Sequence, residues 1–132
     1  MKNNIEYYCH YSNSHNHPKF KLLRLKYGWA GEGRFWALNN IIAGSDNCIL
    51  NLNKKYVVAS VSSDLGMSIE EFQEFVSYLS KECELLIDID GNVSTENVRE
   101  TFKEVMKQRV RNKENREKAL LSKNELKLIR PT

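Results

Sequence analysis

Basic side chains are concentrated near the C-terminal end of the chain, at intervals of two or three residues. The set comprises Lys107, Arg109, Arg111, Lys113, Arg116 and Lys118. Cationic side chains neutralise DNA phosphates, and such contacts give strong salt dependence with little sequence preference. Because residues two apart on a helix point to different sides, the spacing favours contact with phosphates over contact with base edges. The alternative is a solvated, partly frayed helix end without a ligand.

The only cluster with metal-ligand chemistry lies near the N-terminus and consists of Cys9, His10, His15 and His17. Adjacent residues such as Cys9 and His10 rarely reach one metal ion, and no second pair of ligands follows elsewhere. We therefore expect no metal and no cofactor here. The segment is interpreted as a polar loop whose histidine caps the next helix.

Three closely spaced glycines, Gly28, Gly31 and Gly33, raise the question of a phosphate-binding loop. The segment lacks the Lys-Ser/Thr ending and the preceding strand that such a loop requires. It is interpreted as a corner between two helices, packed closely under Trp29 and Trp36. No GxSxG, HExxH or SxxK motif occurs, and we expect no enzymatic activity.

The first 17 residues are polar and aromatic and show no helical period, which predicts an extended arm. Tyr7, Tyr8 and Tyr11 lie in it and are candidate self-association residues, because tyrosine is favoured at interfaces.

Length and composition are those of one globular domain. The chain has 132 residues, of which 41% are apolar and 28% charged. No apolar run approaches the roughly 18 residues of a membrane span, and the start does not resemble a signal peptide. Three scattered cysteines exclude a disulfide framework. These features predict a soluble cytoplasmic protein that makes no membrane contact.

Charge is distributed unevenly. Residues 65–104 hold three Lys and Arg against ten Asp and Glu, whereas residues 105–132 hold nine against three. A protein that binds nucleic acid over its whole surface would not concentrate its acids in this way. Any polyanion is therefore expected at the basic C-terminal segment.

Apolar periodicity, glycine stops and capping residues predict the elements that position these groups. Helices are expected over 18–27 with a stop at Gly28, from about 32 to 43, and from an Asn53 N-cap to Leu65 with a stop at Gly66. A further helix is expected from a Ser68 N-cap, with Ile69 on its inward face. The last helix is expected from near Thr95; its apolar stripe ends at Val110, and beyond that residue it projects or frays. Strands are expected at 48–52, 84–89 and 92–94, the last two joined by an Asp90-Gly91 turn. The tail 119–132 shows no clear period and is expected to be disordered or to dock on a partner.

This order predicts a mainly α fold with a small β-sheet. It indicates a winged helix-turn-helix with an extra N-terminal helix and a long C-terminal helix. The competing interpretation is a helical bundle with an incidental hairpin. The expected divisions are an arm at 1–17, the winged-helix domain at 18–110, and a basic helix end with a tail at 111–132.

The second helix of the turn motif argues against sequence-specific DNA reading. Glu70, Glu71 and Glu74 occupy the half where base contacts are usually made, and carboxylates repel phosphates. Asp88 and Asp90 flank the hairpin tip. The remaining base-reading candidates on the exposed face are only Gln73 and Ser77.

Several stretches follow the pattern of a known family. They are Glu6-Tyr7-Tyr8-Cys9-His10, His17-Pro18-Lys19-Phe20-Lys21-Leu22-Leu23-Arg24, Lys26-Tyr27-Gly28-Trp29-Ala30-Gly31-Glu32-Gly33 and Trp36-Ala37-Leu38. Over about residues 5–105 the chain resembles the N-terminal domain of phage and mobile-element replisome organisers, which is similar to the winged-helix domain of DnaD primosome proteins. His17 departs from the pattern, because the family usually has Asp before the proline.

The resemblance implies a non-enzymatic role in DNA replication initiation. It also implies a homo-oligomer, weak non-specific DNA contact and a helicase or helicase-loader partner. In DnaD-like proteins DNA contacts are attributed largely to a separate C-terminal part, which we expect to be absent or to lie outside this chain. The alternatives are a winged-helix transcriptional regulator that binds a specific site, and a structural adaptor that never contacts DNA.

Overall fold

A computed structural model describes the backbone of residues 2–129 and the side chains of residues 2–125. Over this range the chain is mainly helical with a small antiparallel sheet, as predicted. In chain order the elements are α1 (Pro18–Ala43), β1 (Leu50–Asn51), α2 (Lys55–Asp64), α3 (Ile69–Lys81), β2 (Ile87–Ile89), β3 (Asn92–Ser94) and α4 (Glu96–Ile129). Short 3-10 turns at Ser14–Asn16 and Asp46–Cys48 precede α1 and β1.

Helix α1 bends sharply at Gly28, whose φ of +67° and ψ of −168° lie outside the helical region. The predicted stop at Gly28 is confirmed. The predicted start of the next helix near Glu32 is wrong, because the helical backbone resumes directly after the glycine. Arg24, before the bend, lies 2.9 Å from the buried carboxylate of Glu32, after the bend. This ion pair joins the two halves of α1.

The sheet has the order β1-β3-β2, with every neighbouring pair antiparallel. Leu50 faces Val93, and Ile87 faces Ser94. The predicted Asp90-Gly91 turn is confirmed, since both residues have positive φ, 54° and 84°, as a type I′ hairpin requires. The predicted strand over 48–52 shortens to two residues, because the 3-10 turn extends through Cys48.

Helices α2 and α3 are joined by a tight turn through Gly66, whose φ is +68°. Ser68 caps α3 as predicted, and its Oγ accepts a hydrogen bond from the Glu71 amide at 3.1 Å. The predicted Asn53 cap of α2 is wrong, because Lys54 occupies that position. The Asn53 side chain instead donates to the carbonyl of Asp90 at 2.7 Å and ties the start of α2 to the hairpin.

The core is built from apolar faces of all four helices and from the sheet. Its fully buried large side chains include Leu23, Leu38, Ile42, Phe72, Phe75, Leu79, Val93 and Val98. Gly31 is buried beside Tyr27, where a Cβ would collide with the tyrosine side chain. The expected packing beneath Trp29 is wrong, because that side chain is 67% exposed. Trp36 does pack against the core.

Helix α4 runs without a break across residue 110 and reaches Ile129. Its 34 residues correspond to about 51 Å. The expectation of disorder is wrong for residues 119–129, which are helical, while residues 130–132 lie outside the described part. Every side chain from 111 to 125 is exposed, so this part of α4 projects from the body. Within the described range, no helix combines the length and the apolar character that a membrane crossing needs.

Candidate nucleic-acid interface

From residue 2 to the 3-10 turn at Ser14–Asn16, the N-terminal arm contains no α-helix or strand, and it is folded against the body. Ile5 is 4% exposed, and its amide donates to the Ala43 carbonyl at the end of α1 at 3.0 Å. The Asn47 amide donates to the Asn3 carbonyl at 2.9 Å. The arm therefore brings the N-terminal residues to the side of α4.

Arg109 fixes this arrangement from the α4 side. Its Nη1 donates to the carbonyls of Lys2 and Asn4, each at 2.8 Å. Because one side chain binds two carbonyls of the arm, it holds both the arm and its own guanidinium in place. This predicted DNA-contact residue thus has a structural role as well.

The contact creates a cleft of about 410 Å³ lined by Lys2, Arg109, Asn112, Lys113 and Arg116. We call the four cations among them the cation cluster. Arg109, Lys113 and Arg116 follow one another at intervals of four and three residues, which places them on one face of a helix. Lys2 arrives from the arm and was missed by the sequence analysis, because its position depends on a contact between residues more than 100 apart.

Lys123 extends the face of the cation cluster toward the end of α4. It follows Arg116 by seven residues, or two helical turns, and is exposed. It is absent from the predicted contact residues, because no helix was expected there.

The other three predicted contact residues lie on a different face. Lys107, Arg111 and Lys118 are spaced by four and seven residues, and lie roughly opposite the cation cluster around the helix axis. Acidic residues lie among these cations. Lys107 pairs with Glu104 at 3.6 Å, and Glu114 and Arg111 both line a surface groove on this side of α4. The structure therefore divides the six predicted residues into a mixed-charge face and a cationic face.

Electrostatics distinguish the two faces further. Lys2 forms an ion pair with Glu6; this hydrogen bond and charge lower the pKa of the Glu6 carboxyl, and Arg109 adds to the effect. Among residues 2–125, no carboxylate lies within ion-pair distance of Arg109, Lys113 or Arg116. Positive charge in the cluster is thus only partly compensated, which favours an anion.

The three candidate self-association tyrosines of the arm fall in different environments. Tyr8 is half-buried beside Trp36, and its hydroxyl donates to Asn40 Oδ1 at 2.6 Å. Tyr7 and Tyr11 are 67% and 69% exposed. Only these two present a free aromatic surface, since Tyr8 serves to dock the arm.

The Cys9 and histidine cluster is spread along the arm and the start of α1. His10 stacks on Trp36 with ring centroids 3.6 Å apart, and Nδ1 of His17 accepts from the Lys19 amide at 3.2 Å as the cap of α1. Over the described residues, no three His, Cys, Asp or Glu side chains come together as metal ligands would.

Helix α3 exposes an acidic surface, as the sequence indicated. Glu70, Glu71 and Glu74 are exposed, and Glu74 pairs with Lys26 of α1 at 3.3 Å. At the hairpin tip, the Asp88 carboxylate accepts from the Gly91 amide at 2.9 Å. Ile69 was expected to face inward but is 44% exposed. Neither the N-terminal half of α3 nor the hairpin tip therefore presents cations to a phosphate backbone.

Comparison of the chain with protein-family models, with curated proteins and with solved structures found no match.

Proposed function

We propose that this chain is a non-enzymatic winged-helix module that associates with DNA in replication initiation. It binds phosphates weakly and without sequence preference through the cation cluster of α4, and it associates with further copies of itself. A helicase or helicase loader is its expected protein partner, and its expected location is the cytoplasm.

The order and pairing of the elements support the winged-helix assignment. The second half of α1 together with α2 and α3 supplies three helices, and α2 and α3 are joined by the short turn at Gly66. Strand β1 pairs with β3, so the β2–β3 hairpin closes the sheet next to these helices. The β2–β3 hairpin lies where the wing of a winged helix-turn-helix would be.

The observation that carries the DNA proposal is the cation cluster. Four cations surround one cleft, and three of them have no carboxylate partner among the described side chains. The acidic exposed face of α3 disfavours the usual insertion of this helix into the major groove. Phosphate contact through α4 is thus preferred to site-specific recognition. The assignment to replication rests on the resemblance of residues 5–105 to replisome organisers.

A pair of matched double variants tests the DNA contact. Arg116→Ala with Lys123→Ala removes an arginine and a lysine, seven residues apart, from the cluster face. Arg111→Ala with Lys118→Ala removes the same residue types at the same spacing from the mixed-charge face. All four residues are exposed, so neither double variant disturbs the core. DNA retention is measured during a salt titration, with unrelated duplexes as competitors.

We expect the Arg116 and Lys123 variant to weaken retention and to lower the salt slope by about two, since each phosphate contact contributes about 0.9. The Arg111 and Lys118 variant should change both quantities much less. Equal losses in the two variants would contradict the choice of face. Tight binding to one particular duplex would support a transcriptional regulator instead, and no retention at low salt would support a structural adaptor.

A further inference from the structure

From Met106 to Asn124, α4 carries a stripe that borders the cation cluster on the side toward the mixed-charge face and shares Lys113 with it. Its members recur at alternating intervals of four and three residues, the spacing of a coiled-coil seam. We call them the α4 stripe: Met106, Val110, Lys113, Glu117, Leu120 and Asn124. Val110 is 42% and Leu120 60% exposed, so these two apolar members remain open to another helix.

Beyond the half-buried Met106, the body of the protein does not cover this stripe. Helix α4 packs on the body through Val98 and Thr101, both buried, and beyond residue 110 every described side chain is exposed. A lone helix with apolar side chains gains stability when a partner covers them. The stripe spans 19 residues, or about 28 Å, which is long enough for a helix-to-helix contact.

We propose that the occupant of the α4 stripe is the α4 stripe of a second copy, in antiparallel orientation. A two-fold axis at Asn115 places Val110 opposite the second copy's Leu120, and Lys113 opposite its Glu117. Symmetry repeats each contact, so two apolar layers flank two central Lys–Glu layers. Opposite charges placed across such a seam stabilise pairing and fix its register.

Charge also decides the orientation. In a parallel pair each stripe position faces its own copy, which sets Lys113 against a second Lys113 and Glu117 against a second Glu117. Like charges in facing positions destabilise the pair. Antiparallel pairing converts both repulsions into attractions, and it leaves the two bodies at opposite ends of the helix pair.

This pairing deepens the self-association in the proposed function and rests on it. A two-fold axis perpendicular to both helices keeps corresponding flanks on the same side of the pair. The face that carries Arg116 and Lys123 in each copy therefore contributes to one shared surface. A paired molecule therefore presents Arg116 and Lys123 twice to a single DNA duplex, whereas Lys113 is engaged by Glu117 of the second copy.

Charge exchange at the central layers tests the register. Lys113→Glu alone sets Glu against Glu117 of the second copy, and Glu117→Lys alone sets Lys against Lys113. We expect either single variant to raise the dimer dissociation constant on the order of tenfold, because two layers become repulsive. Mixing the two single variants should restore association as a heterodimer, as should the double exchange Lys113→Glu with Glu117→Lys. Sedimentation equilibrium at low salt measures each sample.

Arg111→Glu is the matched control, because it makes a similar charge reversal on the same helix but away from the α4 stripe. It should leave the dissociation constant close to that of the unmodified chain. The proposal is overturned if the unmodified chain stays monomeric at all concentrations, if the mixed variants do not associate, or if Arg111→Glu is equally disruptive. The salt-titrated DNA retention of the Arg116 and Lys123 variant separately reports failure of the DNA contact.

Discussion

The Thr95 hydroxyl donates to Asn39 Oδ1 at 2.6 Å, and both residues are at most 1% exposed. The Asn39 amide nitrogen in turn donates to the Phe35 carbonyl at 2.9 Å. This short network joins the C-terminal part of α1 to the residue before α4. It therefore helps to set the direction in which the long helix leaves the body.

Replacing Thr95 by Val should destabilise the fold, because it leaves a buried amide oxygen of Asn39 without a donor. We expect the free energy of unfolding to fall by about 1–3 kcal/mol. Urea denaturation measures it. In a double-mutant cycle with Asn39→Leu, the combined loss should be smaller than the sum of the single losses. Additive losses would show that the two side chains are not coupled.

Removal of the Arg109 guanidinium should release the arm. Arg109→Gln removes the two hydrogen bonds that the guanidinium donates to carbonyls of the arm. The Ile5 amide should therefore exchange with solvent at least several-fold faster. Hydrogen-exchange mass spectrometry of the N-terminal peptide measures this rate. Arg111→Gln is the control, since its side chain lies on the other face of α4. Unchanged exchange in the Arg109 variant would show that the other contacts of the arm hold it without Arg109.

The three cysteines should differ strongly in reactivity. Cys9 is exposed, whereas Cys48 and Cys83 are buried. Burial, with a smaller contribution from Glu82, raises the pKa of the Cys83 thiol to about 11, and the thiolate is the reactive form. At pH 8 we expect one rapid equivalent of thiol reagent, assigned to Cys9 by peptide mapping, and two more after unfolding. Rapid modification of Cys83 in the native protein would contradict its burial.

Alkaline pH should destabilise the protein through deprotonation of the Cys83 thiol. Its pKa is higher in the folded chain, about 11, than the ordinary 9.0. Above pH 9 the unfolded chain loses this proton first, so the folded chain binds more protons and its stability falls as pH rises. The stabilisation that comes from the raised pKa of Cys83 is complete below pH 9 and is lost between pH 9 and 11. Over this range the free energy of unfolding falls by up to about 1.4 kcal/mol per pH unit.

Urea titrations from pH 8 to 11 measure this dependence. Burial also raises the pKa of Cys48 and of Tyr27, so the total slope includes their contributions. Cys83→Ala should lower the overall stability, because it leaves a cavity, but it should make the alkaline slope shallower. An unchanged slope in that variant would remove Cys83 as the cause.

Local signals in the sequence predicted several elements correctly. The Ser68 cap, the Gly66 stop and the Asp90-Gly91 turn each depend on residues close in the chain, and each is present. The cap at Asn53 failed because a tertiary partner, the Asp90 carbonyl, engages its side chain. Local propensity is overridden where a distant group supplies a better hydrogen-bond partner.

The candidate site was predictable only in part. The basic character of residues 107–118 is visible in the sequence, but their division into two faces requires a helix that continues past residue 110. Loss of an apolar stripe indicated that the helix projected or frayed, and periodicity alone does not distinguish these outcomes. The contribution of Lys2 depends on the docked arm, which brings together residues from opposite ends of the chain.

The bend at Gly28 has a consequence for chirality. At φ +67° and ψ −168° nothing lies within 4 Å of the position that a Cβ would take, so an L-alanine there meets a backbone penalty and no collision. These angles mirror the polyproline II conformation of an L-residue. A D-alanine would thus adopt these backbone angles without a torsional penalty. The handedness of the residue, and not the space around it, decides which residues this bend accepts.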